Sequence, residues 1–127
     1  MRVFILDDDS GRIEDLKEVL AGADISEAAS FDEGVAVFEP PYDLVCLDHD
    51  LGDRETARPE IENTGDEFVL WMPRASETFR PRVFVHTHSP DRAEAMAREL
   101  RAKGFNPTVQ PFGEEMLEKV TQGTGAN

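Results

Sequence analysis

A chain of 127 residues suffices for one domain, which at that size buries roughly two-thirds of its unfolded surface. Its 27 acidic against 13 basic residues, a formal charge of −14, argue against a general nucleic-acid or anionic-membrane surface, because phosphate binding relies on clustered Lys and Arg. No apolar run approaches the roughly 20 residues of a membrane span, and the start MRVFILDDD lacks the cleavage pattern of a secretory signal, so a cytoplasmic protein is expected.

The apolar run RVFIL (2–6) stops at three aspartates, as a strand buried on both faces would. Ser10 is expected to cap a helix carrying Ile13, Leu16, Val19 and Leu20 inward, with Gly22 after it. ADISEA (23–28) predicts a weak, polar strand near an edge. SFDE (30–33) has the capping-box form ahead of Val35, Val37 and Phe38, and Pro40-Pro41 end that helix. YDLVCLD (42–48) predicts an interior strand, with the single cysteine, Cys46, as a buried and inert thiol.

Residues 51–64 form a polar stretch without periodicity, longer than most connections in compact domains; it could close over a ligand or be a simple insertion. TGDE (64–67) opens a third helix that Pro73 closes. RVFVH (82–86) predicts another buried strand, and Ser89-Pro90 starts a helix with Ala93, Met96, Ala97 and Leu100 inward and Gly104 as its stop. A short strand at 107–110 and a helix near 113–120 complete the chain. The pattern predicts an α/β domain over 1–122, a doubly wound five-stranded parallel sheet with helices on both faces, and a flexible C-terminal tail at 123–127.

In such sheets ligands collect beyond the carboxyl ends of the strands. The first strand ends at Asp7, Asp8 and Asp9, the third at Asp48, His49 and Asp50, and the fourth at His86, Thr87, His88 and Ser89, so all three histidines fall at these ends. Taken singly, DDD reads as a solvated turn, DHD as turn residues bonding their own backbone, and each histidine of HTH as a surface or satisfied core group. Together they make an oxygen-rich pocket flanked by nitrogen donors, suited to Mg²⁺ or Mn²⁺ and less to Zn²⁺ or Fe²⁺. Two carboxylates about 4 Å apart repel by roughly 4 kcal/mol at a typical effective dielectric, so such a convergence needs protonation, a cation or open water. Thr87, Ser89 and the amides at the following helix start suit a phosphate. Arg12, Arg54, Arg58 and Arg92 lie near enough in sequence to reach in, although solvation is the ordinary fate of any one of them.

The arrangement resembles the CheY-like receiver domain of response regulators over residues 2–121. The resemblance implies Mg²⁺ on Asp7 and Asp8, a phosphoryl acceptor at Asp48, a metal-facing backbone carbonyl at Asp50, and Gly65 as the glycine after the acceptor loop. Two positions depart from it: His86 stands where that family has Thr or Ser, and Gln110 where it has a Lys that pairs with the acceptor and the phosphoryl group. Both departures count against ordinary phosphorelay. LDHDLG, the TG before the third helix and VH followed by Thr, as they stand here, are more similar to the cyclic-phosphate processing receiver family, with Ser89 where Asn is expected. The Asp-x-Asp pattern of haloacid-dehalogenase phosphatases is met by Asp48 and Asp50, but its downstream acidic pair is reduced to Asp91.

Three functions follow as expectations. In the first, Asp7, Asp8, Asp48 and Asp50 hold a divalent cation for a phosphoesterase, His86 with His49 or His88 serves as general base and acid, and Asp48 itself can attack phosphorus. Its substrate is a small phosphorylated ligand, or a nucleotide or RNA end carrying a cyclic phosphate. In the second, a receiver or pseudo-receiver module uses Asp48 as phosphoacceptor and signals to a partner protein. In the third, the fold alone serves as an adaptor.

Overall fold

A computed structural model describes residues 1–49 and 65–122. Asp50, Arg54, Arg58, the rest of the 51–64 connection and the 123–127 tail lie outside the described residues.

Strands and helices alternate throughout: β1 (Arg2–Leu6), α1 (Ser10–Val19), β2 (Asp24–Ala28), α2 (Phe31–Val37), β3 (Leu44–Leu47), α3 (Gly65–Trp71), β4 (Arg82–Val85), α4 (Pro90–Ala102), β5 (Pro107–Val109) and α5 (Glu114–Thr121). All strand pairs are parallel, in the order β2-β1-β3-β4-β5. The order reverses between β1 and β3, so a crevice opens where Asp7 and Asp48 leave the sheet. The doubly wound fold expected from the sequence is the one observed.

Alternation along the interior strands divides the core into two layers. Phe4, Leu6, Val45, Leu47, Val83 and Val85 face Phe68, Val69 and Met72 around α3 and Ala93, Met96 and Leu100 on α4. Val3, Ile5, Leu44, Cys46 and Phe84 face Ile13, Leu16 and Leu20 on the α1 side and Met116 and Val120 on α5. Burial pushes the Cys46 thiol up to about 12, which makes it the inert group expected. Phe4 anchors the first layer, with ring centroids 5.0 Å from Phe38 and 5.3 Å from Phe68; full burial of such a ring is worth about 1.5–3 kcal/mol.

Several local expectations change. Asp9, not Ser10, caps α1: its carboxylate accepts from the Arg12 backbone N–H at 3.1 Å. Ser10 is therefore already helical, and Arg12 falls in the first turn. Helical side chains lean toward the N-terminus, so that placement aims Arg12 back at the aspartates. Val19, placed in the apolar repeat of α1, is 37% exposed, and Val37 at the end of α2 is 39% exposed, while Leu20 and Phe38 just beyond the helix ends take the buried places. Ser30 caps α2 as expected, and Glu33 reaches back to the Ala29 backbone N–H at 2.9 Å. Ser89 caps α4 without a side-chain hydrogen bond. Gly104 ends that region with φ +95, a conformation that favours glycine.

No periodicity marks residues 73–81, yet they carry a core residue. Ser76 and Phe79 form a small antiparallel bridge, and Phe79 packs edge-on against Phe105, 5.6 Å between centroids. Among the described residues no helix is long and apolar enough to cross a membrane.

Candidate metal centre at the carboxyl edge of the sheet

Three carboxylates meet at the crevice. Asp7, Asp8 and Asp48 each offer an oxygen, and these oxygens lie within 4.8 Å of one another. Asp7 and Asp48 are buried, 0% and 3% exposed, because each directly follows a strand enclosed on both faces; Asp8 opens to solvent. The register of β1 and β3 sets their meeting: Leu6 pairs with Leu47, so the next residue of each strand emerges at the same level. The Asp48 backbone N–H donates to the Leu6 carbonyl at 2.9 Å, which continues the ladder one step into the site.

Asp7 is the hub. Its Oδ2 accepts from His86 Nε2 at 2.8 Å, with both side chains fully buried. The same carboxylate accepts from Arg12 Nε at 3.0 Å and Nη2 at 2.9 Å, and from the Asp9 backbone N–H at 2.9 Å. Arg12 Nη2 also lies 3.3 Å from Asp48 Oδ2 and 3.6 Å from Asp8 Oδ1. Burial raises the Asp7 pKa, but the hydrogen bonds from His86 and Arg12 outweigh it and leave that pKa lowered. Burial and then the neighbouring Asp7 charge push Asp48 up to about 6, against the pull of His86 and Arg12. Of these two neighbouring carboxylates, one is thus held toward its charged form and the other drawn toward its neutral form, as expected of a site short of positive charge. Three carboxylate oxygens form a hard donor set, which fits Mg²⁺ or Mn²⁺.

The histidines expected to share this pocket separate. His86 lies beneath Asp7, and its Nδ1 is the buried side-chain polar atom without a partner among the described residues. His49, 4% exposed, belongs to another group: its Nε2 is 2.9 Å from Asp66 Oδ2 on α3, and its Nδ1 accepts from Arg92 Nη1 on α4 at 3.3 Å. His88 is exposed, and Thr87 is buried with its Oγ1 accepting from the Ser89 backbone N–H at 3.3 Å. The Asp50 position lies outside the described residues. Gly65 closes the floor: its N–H donates to the His49 carbonyl at 2.8 Å, and a Cβ there would fall 2.1 Å from the Asp48 carbonyl oxygen. Any side chain at 65 would displace the Asp48 backbone.

Sequence reasoning gave Asp66 no role, because a carboxylate in the first turn of a helix reads as a favourable dipole partner. Arg12 stood out only as one of four nearby arginines. Its spacing from Asp9 was the available signal, since the side chain of a helix N-cap meets the backbone N–H of the residue three further on.

Residues 2–102 match the cyclic-phosphate processing receiver domain family. Among curated proteins no sequence matches the chain. Solved response regulators share the fold. The Mn(2+)-bound form of response regulator Rcp1 is 15% identical, with 94% of this chain and 88% of that chain covered and a TM-score of 0.64. The phosphorylated cyanobacterial phytochrome response regulator RcpA is 16% identical, with 94% and 88% covered and a TM-score of 0.65. A Burkholderia pseudomallei response regulator with a phosphorylated aspartic acid, a calcium ion and citrate is 17% identical, with 96% and 66% covered and a TM-score of 0.64. With the acidic triad of Asp7, Asp8 and Asp48 at the carboxyl edge of a receiver-type sheet, this chain belongs to the cyclic-phosphate processing receiver domain family.

Proposed function

We propose that this receiver-type domain binds Mg²⁺ or Mn²⁺ on Asp7, Asp8 and Asp48 and uses Asp48 to open a cyclic phosphate ester. The observation that carries the reading is the approach of three carboxylate oxygens within 4.8 Å, two of them on nearly sealed side chains. A bound divalent ion offsets phosphate charge and stabilises the charge that builds on phosphoryl oxygens during transfer. The residues then divide the work. Asp7, fixed by His86, is the rigid ligand; Asp8 completes the set from the solvent side.

Asp48 is the nucleophile. Its carboxylate oxygen bonds to phosphorus, one ring P–O bond breaks, and the departing oxygen keeps the electron pair and takes a proton. His88 is exposed and therefore the imidazole able to meet the leaving oxygen, whereas His86 is sealed and His49 is engaged with Asp66 and Arg92. Water then attacks the aspartyl phosphate and restores the carboxylate. The Ser89 side chain makes no capping hydrogen bond, which leaves its hydroxyl to a phosphate oxygen. With a charge of −14, the domain would hold a nucleotide or RNA end by its terminal phosphate and not along a backbone.

A second reading is a switch in which Asp48 keeps the phosphoryl group and a partner protein senses it. The solved neighbour with a phosphorylated aspartic acid favours it. Gln110 weighs against it, because its side chain is tied to Glu115 and Lys119 on α5. Incubation of Mn²⁺-loaded protein with 2′,3′-cyclic nucleotides, followed by chromatography, should give ring-opened monophosphates, with turnover abolished in Asp48→Asn. No product across the panel, together with a lasting one-phosphoryl mass gain from acetyl phosphate, would replace the enzyme by the switch.

A further inference from the structure

The receiver pattern calls for a cation beside the acceptor aspartate, supplied from the end of β5. Here that place is held by Gln110, whose Nε2 donates to Glu115 Oε2 at 2.8 Å and whose Oε1 accepts from Lys119 Nζ at 2.6 Å. Both the amide and Lys119 are thereby committed to each other along α5. The positive charge beside Asp48 comes from α1 instead.

Arg12 does more than pair with one carboxylate. A single nitrogen, Nη2, lies 2.9 Å from Asp7, 3.3 Å from Asp48 and 3.6 Å from Asp8. Those are the same three residues whose oxygens converge into a donor set for a divalent ion. A guanidinium nitrogen and a metal ion set among these three carboxylates repel each other and compete for the same three side chains. The Arg12 side chain is 24% exposed while its partners Asp7 and Asp48 are 0% and 4% exposed, so the arginine is the member able to move. Its anchorage is independent of its head, since the backbone N–H is held by Asp9 Oδ1; the head itself has a second neighbour, the Phe112 ring, whose centroid lies 6.0 Å from the guanidinium carbon. Moved outward, the fork stays at the mouth of the site. Its planar pair of donors matches phosphoryl oxygens.

We propose that Arg12 is the exchangeable cation of this site: it fills the space among Asp7, Asp8 and Asp48 in the metal-free protein, yields it to a divalent ion, and then pairs with phosphoryl oxygens held at Asp48. This rests on the reading above that the triad takes a divalent ion and a phosphoryl group.

The exchange predicts opposite signs for two measurements on one variant. Mn²⁺ titrated into metal-free protein, with free Mn²⁺ read by electron paramagnetic resonance, should bind Arg12→Gln at least tenfold more tightly than wild type. Beryllofluoride, a phosphoryl mimic followed by fluorine NMR on protein saturated with Mn²⁺, should bind Arg12→Gln at least tenfold more weakly. Arg12→Lys, which keeps the charge but not the fork, should fall between on both scales, and it carries the test if Arg12→Gln does not fold.

Wild type binding Mn²⁺ while the variants bind it no more tightly overturns the exchange and leaves the metal reading intact. Unchanged beryllofluoride affinity overturns it as well. Mn²⁺ binding by Arg12→Gln alone overturns the exchange, because Arg12 then never yields the space, and removes the metal reading for the native chain. If no chain binds Mn²⁺, both fall.

Discussion

Two sets of the same three residue types lie near one edge of the sheet, and they are wired differently. In the first, Asp7 stands between His86 and Arg12; in the second, His49 stands between Asp66 and Arg92. A carboxylate at the centre has lone pairs left for a further cation, because each oxygen can accept more than one bond. An imidazole at the centre has both ring nitrogens engaged, one donating and one accepting. The first arrangement is open to chemistry; the second is a clip that ties the end of β3 to α3 and α4. Composition alone does not distinguish them, and connectivity does.

The sharpest way to break this comparison is to remove each carboxylate. Asp7→Ala leaves a buried imidazole and a half-buried guanidinium without their shared partner, and loss of one member of a buried pair costs about 3–5 kcal/mol. Asp66→Ala removes a partner whose side chain is 38% exposed, for which about 1 kcal/mol or less is expected. Urea unfolding of both variants checks the ratio. Equal losses would mean that the two sets are structurally equivalent.

Asp48 sharpens it further through pH. Its pKa rises on folding from 3.8 to about 6, so the native state holds that proton more tightly than the unfolded chain does. The stability it contributes is complete below about pH 4 and lost as pH climbs through about 6. At 1.36 kcal/mol per pKa unit, the ionised carboxylate weakens the metal-free fold by roughly 3 kcal/mol at pH 8. Asp48→Asn should therefore melt higher than wild type in chelator at pH 8 and alike at pH 4. A constant gap across that range would place the cause elsewhere than in ionisation.

The sequence reveals unequal amounts of these two sets. The doubly wound sheet was legible because RVFIL, LVCL and RVFV are continuous apolar runs that only strands buried on both faces tolerate. The acidic triad was legible because topology sends the ends of β1 and β3 to the same crevice, whatever their side chains do there. Side-chain pairing was not. Whether His49 turned toward Asp48 or toward Asp66 depended on the packing of α3, where Gly65 lets the helix start approach the Asp48 backbone. Arg12 depended on a one-residue matter, the capping of α1 by Asp9 and not Ser10, which no periodicity resolves. Phe79 entered the core from a segment with no regular pattern at all.

The smallest expected effect tests whether the two sets are independent. Arg92 is exposed on α4, and its Nη1 donates to His49 Nδ1 at 3.3 Å. That contact requires a lone pair on Nδ1, which places the ring proton on Nε2, where it donates to Asp66. Arg92→Ala removes one of the contacts to the ring and leaves the Asp66 bond, so the tautomer should persist, as nitrogen-15 NMR of the imidazole would report. Stability should fall by about 1 kcal/mol or less, the ordinary range for an exposed charged contact. Mn²⁺ affinity should not change, because neither His49 nor Arg92 touches the Asp7 carboxylate among the described contacts. A shift in Mn²⁺ affinity as large as that expected for Arg12→Gln would join the clip to the metal centre and make one extended site of the two.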